Sequence, residues 1–264
     1  MLDYDSLHRK GVSSIGNFFE HIIEATYTAL LQGGDVVIDC GANVGRHTAP
    51  LSRCVGENGL VIAIEPIPSL AQKLVADCAK NVWVFPTALG REEKQEITFF
   101  VAQIGHEMSS LRSPVHSTML TEEAKSQIID IKVPLLTLNT LYKAHDLDEV
   151  RFIKMDIEGG EFHALMGADR ILIQARPLII FECGFGASAD LFGFTCEAFF
   201  DFFKRHGYRL FDLFGRPFDE LSWGQERIPW YLMAVPVRST DEAYVVNNHA
   251  KVVALVDQHF PFAG

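Results

Sequence analysis

The chain has 264 residues, 48% of them hydrophobic, ample for the packed core of one large α/β domain over 1–264. A formal charge of −11 argues against nucleic acid as a partner, because phosphate backbones are held by clustered Lys and Arg. The five cysteines, Cys40, Cys54, Cys78, Cys183 and Cys196, are odd in number and form no C-x-x-C pair, which speaks against a disulfide framework or a thiolate metal site. No N-terminal stretch joins a basic region to an apolar core, and the longest apolar runs, such as 178–181, are too short to span a bilayer. A cytoplasmic protein is expected.

In chain order, the first predicted element is an amphipathic helix within an N-terminal helical segment, 1–34. "NFFEHIIEATYTALLQGG" has Asn17 and Glu20 at capping-box spacing, a stripe at Phe19, Ile22, Ile23, Thr26 and Leu30, and a closing glycine pair. "DVVIDCGANVGRHTA" then runs apolar through Val36, Val37 and Ile38, as a buried parallel strand does. It turns into Asp39, Gly41, Asn43 and Gly45 before a helix expected from about Val44. A strand "LVIAIEP", a helix "SLAQKLVADCAK" and a strand "NVWVFPTAL" complete a βαβαβ rhythm. Over 91–140, the period-2 runs "QEITFFV" and "IKVPLLTL" flank a polar stretch with an acidic helix candidate at 121–127. This predicts a β-rich insertion capping the carboxyl edge of the sheet. "RFIKMDIEGGEFHALMG" and "PLIIFECG" restore the alternation. A helix capped by Thr195 and closed by Gly207, an antiparallel pair "YRLFDLF" and "WYLMAVPV", and a tail over 238–264 end the chain. No repeat or Pro/Ser-rich linker divides it.

Ligands of open parallel sheets sit beyond the carboxyl ends of the strands, so strand-end residues are the candidates for chemistry. Three ends carry acids: Asp39, Glu65 before Pro66, and the run from Lys154 through Asp156 and Glu158 to Gly159. A dehydrogenase fingerprint would place glycine at position 43, where a pyrophosphate lies against the backbone. Asn43 stands there instead. The loop suits a ligand without a diphosphate, whose amino-acid head is held by a side-chain amide and backbone N–H groups. A carboxylate at Glu65 can accept hydrogen bonds from both hydroxyls of an adenosine ribose. Together the two loops point to S-adenosylmethionine. Each also has a structural explanation, since a tight β-to-α turn needs glycine without any ligand and Glu65 alone suits a solvated loop.

The third strand end is the sharpest signal. Alternation puts Phe152, Lys154, Asp156 and Glu158 on one face and Ile153, Met155 and Ile157 on the other. Charges on a central strand are costly to bury. Either Lys154 and Asp156 form an ion pair kept for register, or the face opens on a polar site. Gly159 and Gly160, a second close-approach turn, favour the site.

The runs "VVIDCGANVGRHT", "IAIEP", "FPTALG", "LLTLNTL" and above all "IKMDIEGGEFHALMGA" resemble the FkbM-type family of S-adenosylmethionine-dependent methyltransferases. That family's hallmark is a K-x-D-x-E-G run followed by a Glu-containing helix. The match extends from about Val36 to Glu182 and resumes at "WYLMAVP". The resemblance implies a class I Rossmann-like methyltransferase fold, α/β, with a mostly parallel seven-stranded sheet and an antiparallel C-terminal strand pair. It implies a donor site at Asp39, Gly41, Asn43, Gly45, Glu65, Pro66, Thr87, Ala88 and Asp156, with the acceptor near Asp156 and Glu158. It also implies O-methylation of a hydroxyl on a sugar, glycoconjugate or natural product. Three positions depart from the pattern. Pro50 falls inside the expected helix, where it would remove an i to i−4 hydrogen bond; Gly160 replaces a frequent alanine, and Thr87 an asparagine-like residue.

Methyl transfer to an alcohol gains most from holding the nucleophile in line, up to ~7–11 kcal/mol in favourable models. A placed carboxylate or imidazole that takes the proton adds ~10²–10⁴-fold. Asp156 is the first candidate base, Glu158 the second and His163, on the following helix, the third. Lys154 either keeps Asp156 ionised or only neutralises it. A Mg²⁺ site at Asp156 and Glu158 lacks a third ligand, so no metal is expected. His47, His106, His116 and His145 are scattered singly and read as polar surface or loop residues. Eleven of the twenty phenylalanines fall between Phe181 and Phe218. They read as core packing with a subunit contact, consistent with a homodimer, or as an apolar wall for the acceptor. Two rival functions fit less well: an NAD-dependent oxidoreductase, which needs the missing pyrophosphate glycine, and a non-catalytic scaffold, whose strand ends would look degraded.

Overall fold

The computed structural model describes residues 12–102, 109–111, 121–144, 149–225 and 229–260; His106, His116 and His145 lie outside them. Helix α1 (Val12–Leu30) starts five residues before Asn17, so the capping box expected at Asn17 and Glu20 does not form. The reason is burial. Ile15, Phe18, Phe19, Ile22 and Ile23 are all fully buried at helical spacing, and this stripe extends the helix past the local cap signal.

Next come β1 (Val36–Cys40), α2 (Thr48–Val55), β2 (Leu60–Ile64), α3 (Pro68–Asp77) and β3 (Val82–Phe85). The helix expected from about Val44 begins at Thr48, because Asn43 (φ 48°) and Gly45 (φ 87°) turn the chain in the left-handed region. Pro50 is therefore the third helical residue. First-turn N–H groups have no intrahelical partner, so this proline removes nothing and no kink results. The strand read from Asn81 to Leu89 is in fact two. After Pro86 the chain leaves the main sheet, and β4 (Ala88–Leu89) joins β5 (Lys94–Ala102) and β6 (Ile128–Leu136) in a second sheet of order β4-β6-β5. A short α4 (Glu122–Ser126) precedes β6.

Beyond the insertion run α5 (Leu138–Ala144), β7 (Val150–Met155), α6 (Glu161–Met166), α7 (Asp169–Gln174) and β8 (Leu178–Glu182). The chain continues through α8 (Phe185–Phe192), α9 (Cys196–Arg205), β9 (Tyr208–Asp212), β10 (Tyr231–Pro236) and α10 (Thr240–His259). Thr195 caps α9, its hydroxyl accepting the Ala198 N–H at 3.1 Å. The main sheet has the order β3-β2-β1-β7-β8-β10-β9, with β10 antiparallel to both neighbours and the other pairs parallel.

Strand alternation divides the core between the two faces of this sheet. Ile38, Cys40, Ile153, Met155, Ile179 and Phe181 pack against α5, α6, α7 and α9. Val37, Phe152, Leu178, Ile180 and Met233 pack against α1, α2 and α10. The strand order reverses between β1 and β7, and a crevice opens there at the carboxyl edge.

Candidate functional site

A cleft lies at this reversal, lined by Gly41, Asn43, Glu65, Pro66, Thr87, Ala88, Asp156, Ile157 and Glu158. Phe99, Ser109 and Leu111 of the insertion add to the lining, with Ile64, Ile67 and Leu89. The β1 loop presses directly on the β7 loop: a Cβ at Gly41 would lie 1.8 Å from the Asp156 carbonyl oxygen. Only glycine fits there. Glu65, 4% exposed, ties the loops further, Oε2 accepting the Asn43 N–H and Oε1 the Ile67 N–H, both at 2.8 Å. Burial pushes its carboxyl up against those two hydrogen bonds. Behind the loop, fully buried Asp39 accepts from Thr48 Oγ1 at 2.7 Å through Oδ2, while Oδ1 has no partner among the described residues. Thr87 spends its hydroxyl on the Pro134 and Ala88 carbonyls, fastening the cleft wall to the second sheet.

A row of charged groups crosses the sheet face that carries α1. Lys154 is 5% exposed, sits beside Asp39 in register, and places Nζ 3.5 Å from Asp156 Oδ2. Burial opposes its charge, but the carboxylates of Asp156, Asp39 and Glu20 prevail and hold it above the usual lysine range. Tyr231, the first residue of β10, places its hydroxyl 2.7 Å from Asp156 Oδ2 and 3.0 Å from Glu20 Oε1. One hydroxyl proton serves two acceptors. On its other oxygen Glu20 accepts from Arg46 Nε at 2.8 Å and His47 Nε2 at 2.5 Å. Burial works against its ionisation, yet the hydrogen bond and charge of His47, with Lys154 and Arg46, hold Glu20 far below the ordinary carboxylate range.

The loop after β7 is held in an unusual shape. Glu158 has φ 59°, a left-handed conformation that costs about 1–2 kcal/mol for a residue other than glycine, and Gly159 follows at 95°. Two contacts restrain it. Glu161 Oε1 accepts the N–H groups of Ile157 (2.8 Å) and Gly159 (3.1 Å), and Ser110 Oγ donates to the Glu158 carbonyl at 2.9 Å. Burial pushes the Glu161 carboxyl up to about 7 against those N–H groups. Glu182, ending β8, brings a carboxylate oxygen within 4.8 Å of oxygens of Asp156 and Glu158. The expectation of no metal rested on the want of a third ligand beside Asp156 and Glu158, and Glu182 is such a third carboxylate.

A family model described as the methyltransferase FkbM domain matches residues 39–210, more than half of the chain. The chain belongs to the FkbM methyltransferase family. A curated protein-L-isoaspartate O-methyltransferase of Methanococcus aeolicus is 40% identical over 67 residues, covering 25% of this chain and 29% of that protein. Among solved structures, methyltransferase FkbM from Methylobacillus flagellatus KT is 19% identical, with a TM-score of 0.45, covering 76% of this chain and 43% of that one. A precorrin-6y C5,15-methyltransferase from Geobacter metallireducens GS-15 is 15% identical, with a TM-score of 0.42, covering 82% and 87%. The chain thus spans less than half the length of the first two. S-adenosylmethionine is the family's methyl donor.

The seven-stranded sheet of this FkbM domain is that of the class I, Rossmann-like α/β methyltransferase fold. Of the residues singled out from the sequence, Gly41, Asn43, Glu65, Pro66, Thr87, Ala88, Asp156 and Glu158 meet in one cleft. Asp39 lies behind it as a buried support, and Gly45 shapes the turn. His163 is placed elsewhere: its ring packs on Phe192 at 5.6 Å and lines a separate groove with Arg91, Phe202 and Arg205. His47, read as a surface or loop residue, is 3% exposed and bonded to Glu20, so its place in the row is structural. Phe181, Phe199, Phe202 and Phe203 pack in the core rather than forming an acceptor wall. Sequence reasoning missed Glu20, Tyr231 and Glu182. For Glu182 the signal was present, since "PLIIFECG" ends its strand in an acid just as the other three ends do.

Proposed function

We propose that this chain binds S-adenosylmethionine in the cleft and methylates a hydroxyl of a sugar, glycoconjugate or natural product. The observation that carries the reading is the convergence of Glu65 with the Asp156–Glu158 loop on one cleft at the strand-order reversal. The donor-site residues fit. Each Glu65 oxygen takes a single backbone N–H, which leaves lone pairs for two ribose hydroxyls.

When bound, S-adenosylmethionine supplies a methyl group on a positively charged sulfur. The chain's own part is positioning and charge. Ile64, Leu89, Phe99 and Leu111 give apolar walls that exclude water. The carboxylates of Asp156 and Glu158 favour a cationic donor and offer hydrogen-bond acceptors that orient an alcohol. Lys154 and Tyr231 hold the Asp156 carboxylate in place by contact, which makes it an orienting group.

A thermal-shift panel tests the reading. S-adenosylmethionine and S-adenosylhomocysteine are expected to raise the melting temperature and NAD to leave it unchanged. Mass spectrometry of a metabolite extract incubated with the donor should then reveal a methylated hydroxyl compound. Stabilisation by NAD alone would overturn the proposal in favour of a nicotinamide enzyme.

A further inference from the structure

We propose that Tyr231 is a two-way hydrogen-bond donor, whose hydroxyl turns from Asp156 to Glu20 when the acceptor hydroxyl arrives and so clears Asp156 to orient it. The proposal rests on methyl transfer to a hydroxyl. Its foundation is one proton shared between two acceptors. The Tyr231 oxygen lies 2.7 Å from Asp156 Oδ2 and 3.0 Å from Glu20 Oε1, both hydrogen-bond distances. A phenol carries a single proton, so one contact is bonded at a time while the other sets two lone-pair oxygens face to face. Tyr231 is buried, so that second contact lies in a medium that screens it poorly. The two arrangements differ only by rotation of the hydroxyl about its C–O bond.

Each end is built to receive that proton. Asp156 lines the cleft, and its Oδ2 also faces Lys154 Nζ at 3.5 Å, so Lys154 and Tyr231 together occupy the lone pairs of this oxygen. A third donor there, the hydroxyl of a bound acceptor, displaces one of them. Tyr231 is the one with a second partner in reach. Glu20 Oε2 is held by Arg46 Nε at 2.8 Å and His47 Nε2 at 2.5 Å, which leaves Oε1 turned to Tyr231. Arg46 and His47 follow directly on the turn that ends at Gly45, so the waiting carboxylate is anchored on the donor side of the cleft. Tyr231 acts through Asp156 and is a positioning residue.

The test titrates the low-molecular-mass fraction of a cell lysate, as acceptor source, against wild type and variants with tritiated-methyl S-adenosylmethionine. Calorimetry with S-adenosylhomocysteine checks the donor site. In Glu20→Gln the amide oxygen is claimed by Arg46 and His47, and the amide N–H groups face the Tyr231 oxygen as donors, which locks the hydroxyl on Asp156. This variant is expected to need ~10–100-fold more of the fraction for half-maximal transfer, the worth of one hydrogen bond to a charged group. Its S-adenosylhomocysteine affinity should stay within ~3-fold of wild type. Adding Tyr231→Phe to Glu20→Gln removes the locked hydroxyl, so the double variant should recover ~10-fold or more of that loss. Losses that add instead, a Glu20→Gln requirement within ~3-fold of wild type, or a fall in donor affinity in its place would each sink the proposal while leaving methyl transfer intact. Tyr231→Phe alone clears Asp156 for good and should need less of the fraction than wild type; needing more overturns the proposal whether or not Glu20→Gln folds. Wild type that binds S-adenosylhomocysteine but methylates nothing overturns the hydroxyl reading and this inference with it.

Discussion

Replacing Lys154 by Met tests whether one buried cation holds the charged row together. The Lys154 side chain is 6% exposed, and the substitution leaves Asp156 with the Tyr231 hydroxyl alone and the buried Asp39 with one oxygen still unpaired. Removing one partner of a buried pair costs about 3–5 kcal/mol. The 22% exposure of Asp156 and the 3.5 Å separation favour the lower end of that range. A loss of about 3 kcal/mol corresponds to a melting temperature lower by roughly 6–12 °C for a chain of this size. Burial opposes the charge of Lys154, but Asp156, Asp39 and Glu20 raise its folded pKa above the ordinary 10.5. Its contribution is therefore fully present below that value and fades only as the pH climbs into strong alkali. Urea unfolding followed by tryptophan fluorescence should show a constant gap between the two proteins across neutral pH. A Lys154→Met protein that unfolds within about 1 kcal/mol of wild type would refute the role given to this cation.

Glu65→Ala should weaken S-adenosylhomocysteine binding ~10–100-fold through lost charge-assisted ribose hydrogen bonds, and equal affinities by calorimetry would remove Glu65 from the donor site. Glu161→Gln keeps an acceptor for the Ile157 and Gly159 N–H groups but no longer titrates. Because burial raises the folded Glu161 pKa from 4.5 to about 7, wild type loses stability across that window, and the variant should gain on it between about pH 5 and about pH 8. An unchanging difference would contradict the assignment. Turnover is expected to survive EDTA, because Lys154 and Tyr231 already engage Asp156; recovery of a chelated enzyme with Mg²⁺ would show that Asp156, Glu158 and Glu182 hold a cation.

Local periodicity carried most of the fold. Alternation in "RFIKMDIEGG" placed Lys154, Asp156 and Glu158 on one face, and strand-end position picked out Asp39, Glu65 and Asp156, because these are properties of a strand and the turn directly after it. The same local reasoning failed where distant burial outweighed a nearby signal. The Asn17–Glu20 capping box gave way to the apolar stripe of α1, and Glu20 became a half-buried ion instead. The Asn81–Leu89 strand divided because the insertion supplied β4 with new partners in β5 and β6. Only the tertiary structure joined Glu20 to Tyr231, 211 residues apart, and brought Glu182 beside Asp156 and Glu158. A strand's own sequence determines which face a side chain takes, whereas the strand order and the helix laid across that face decide which charge it meets.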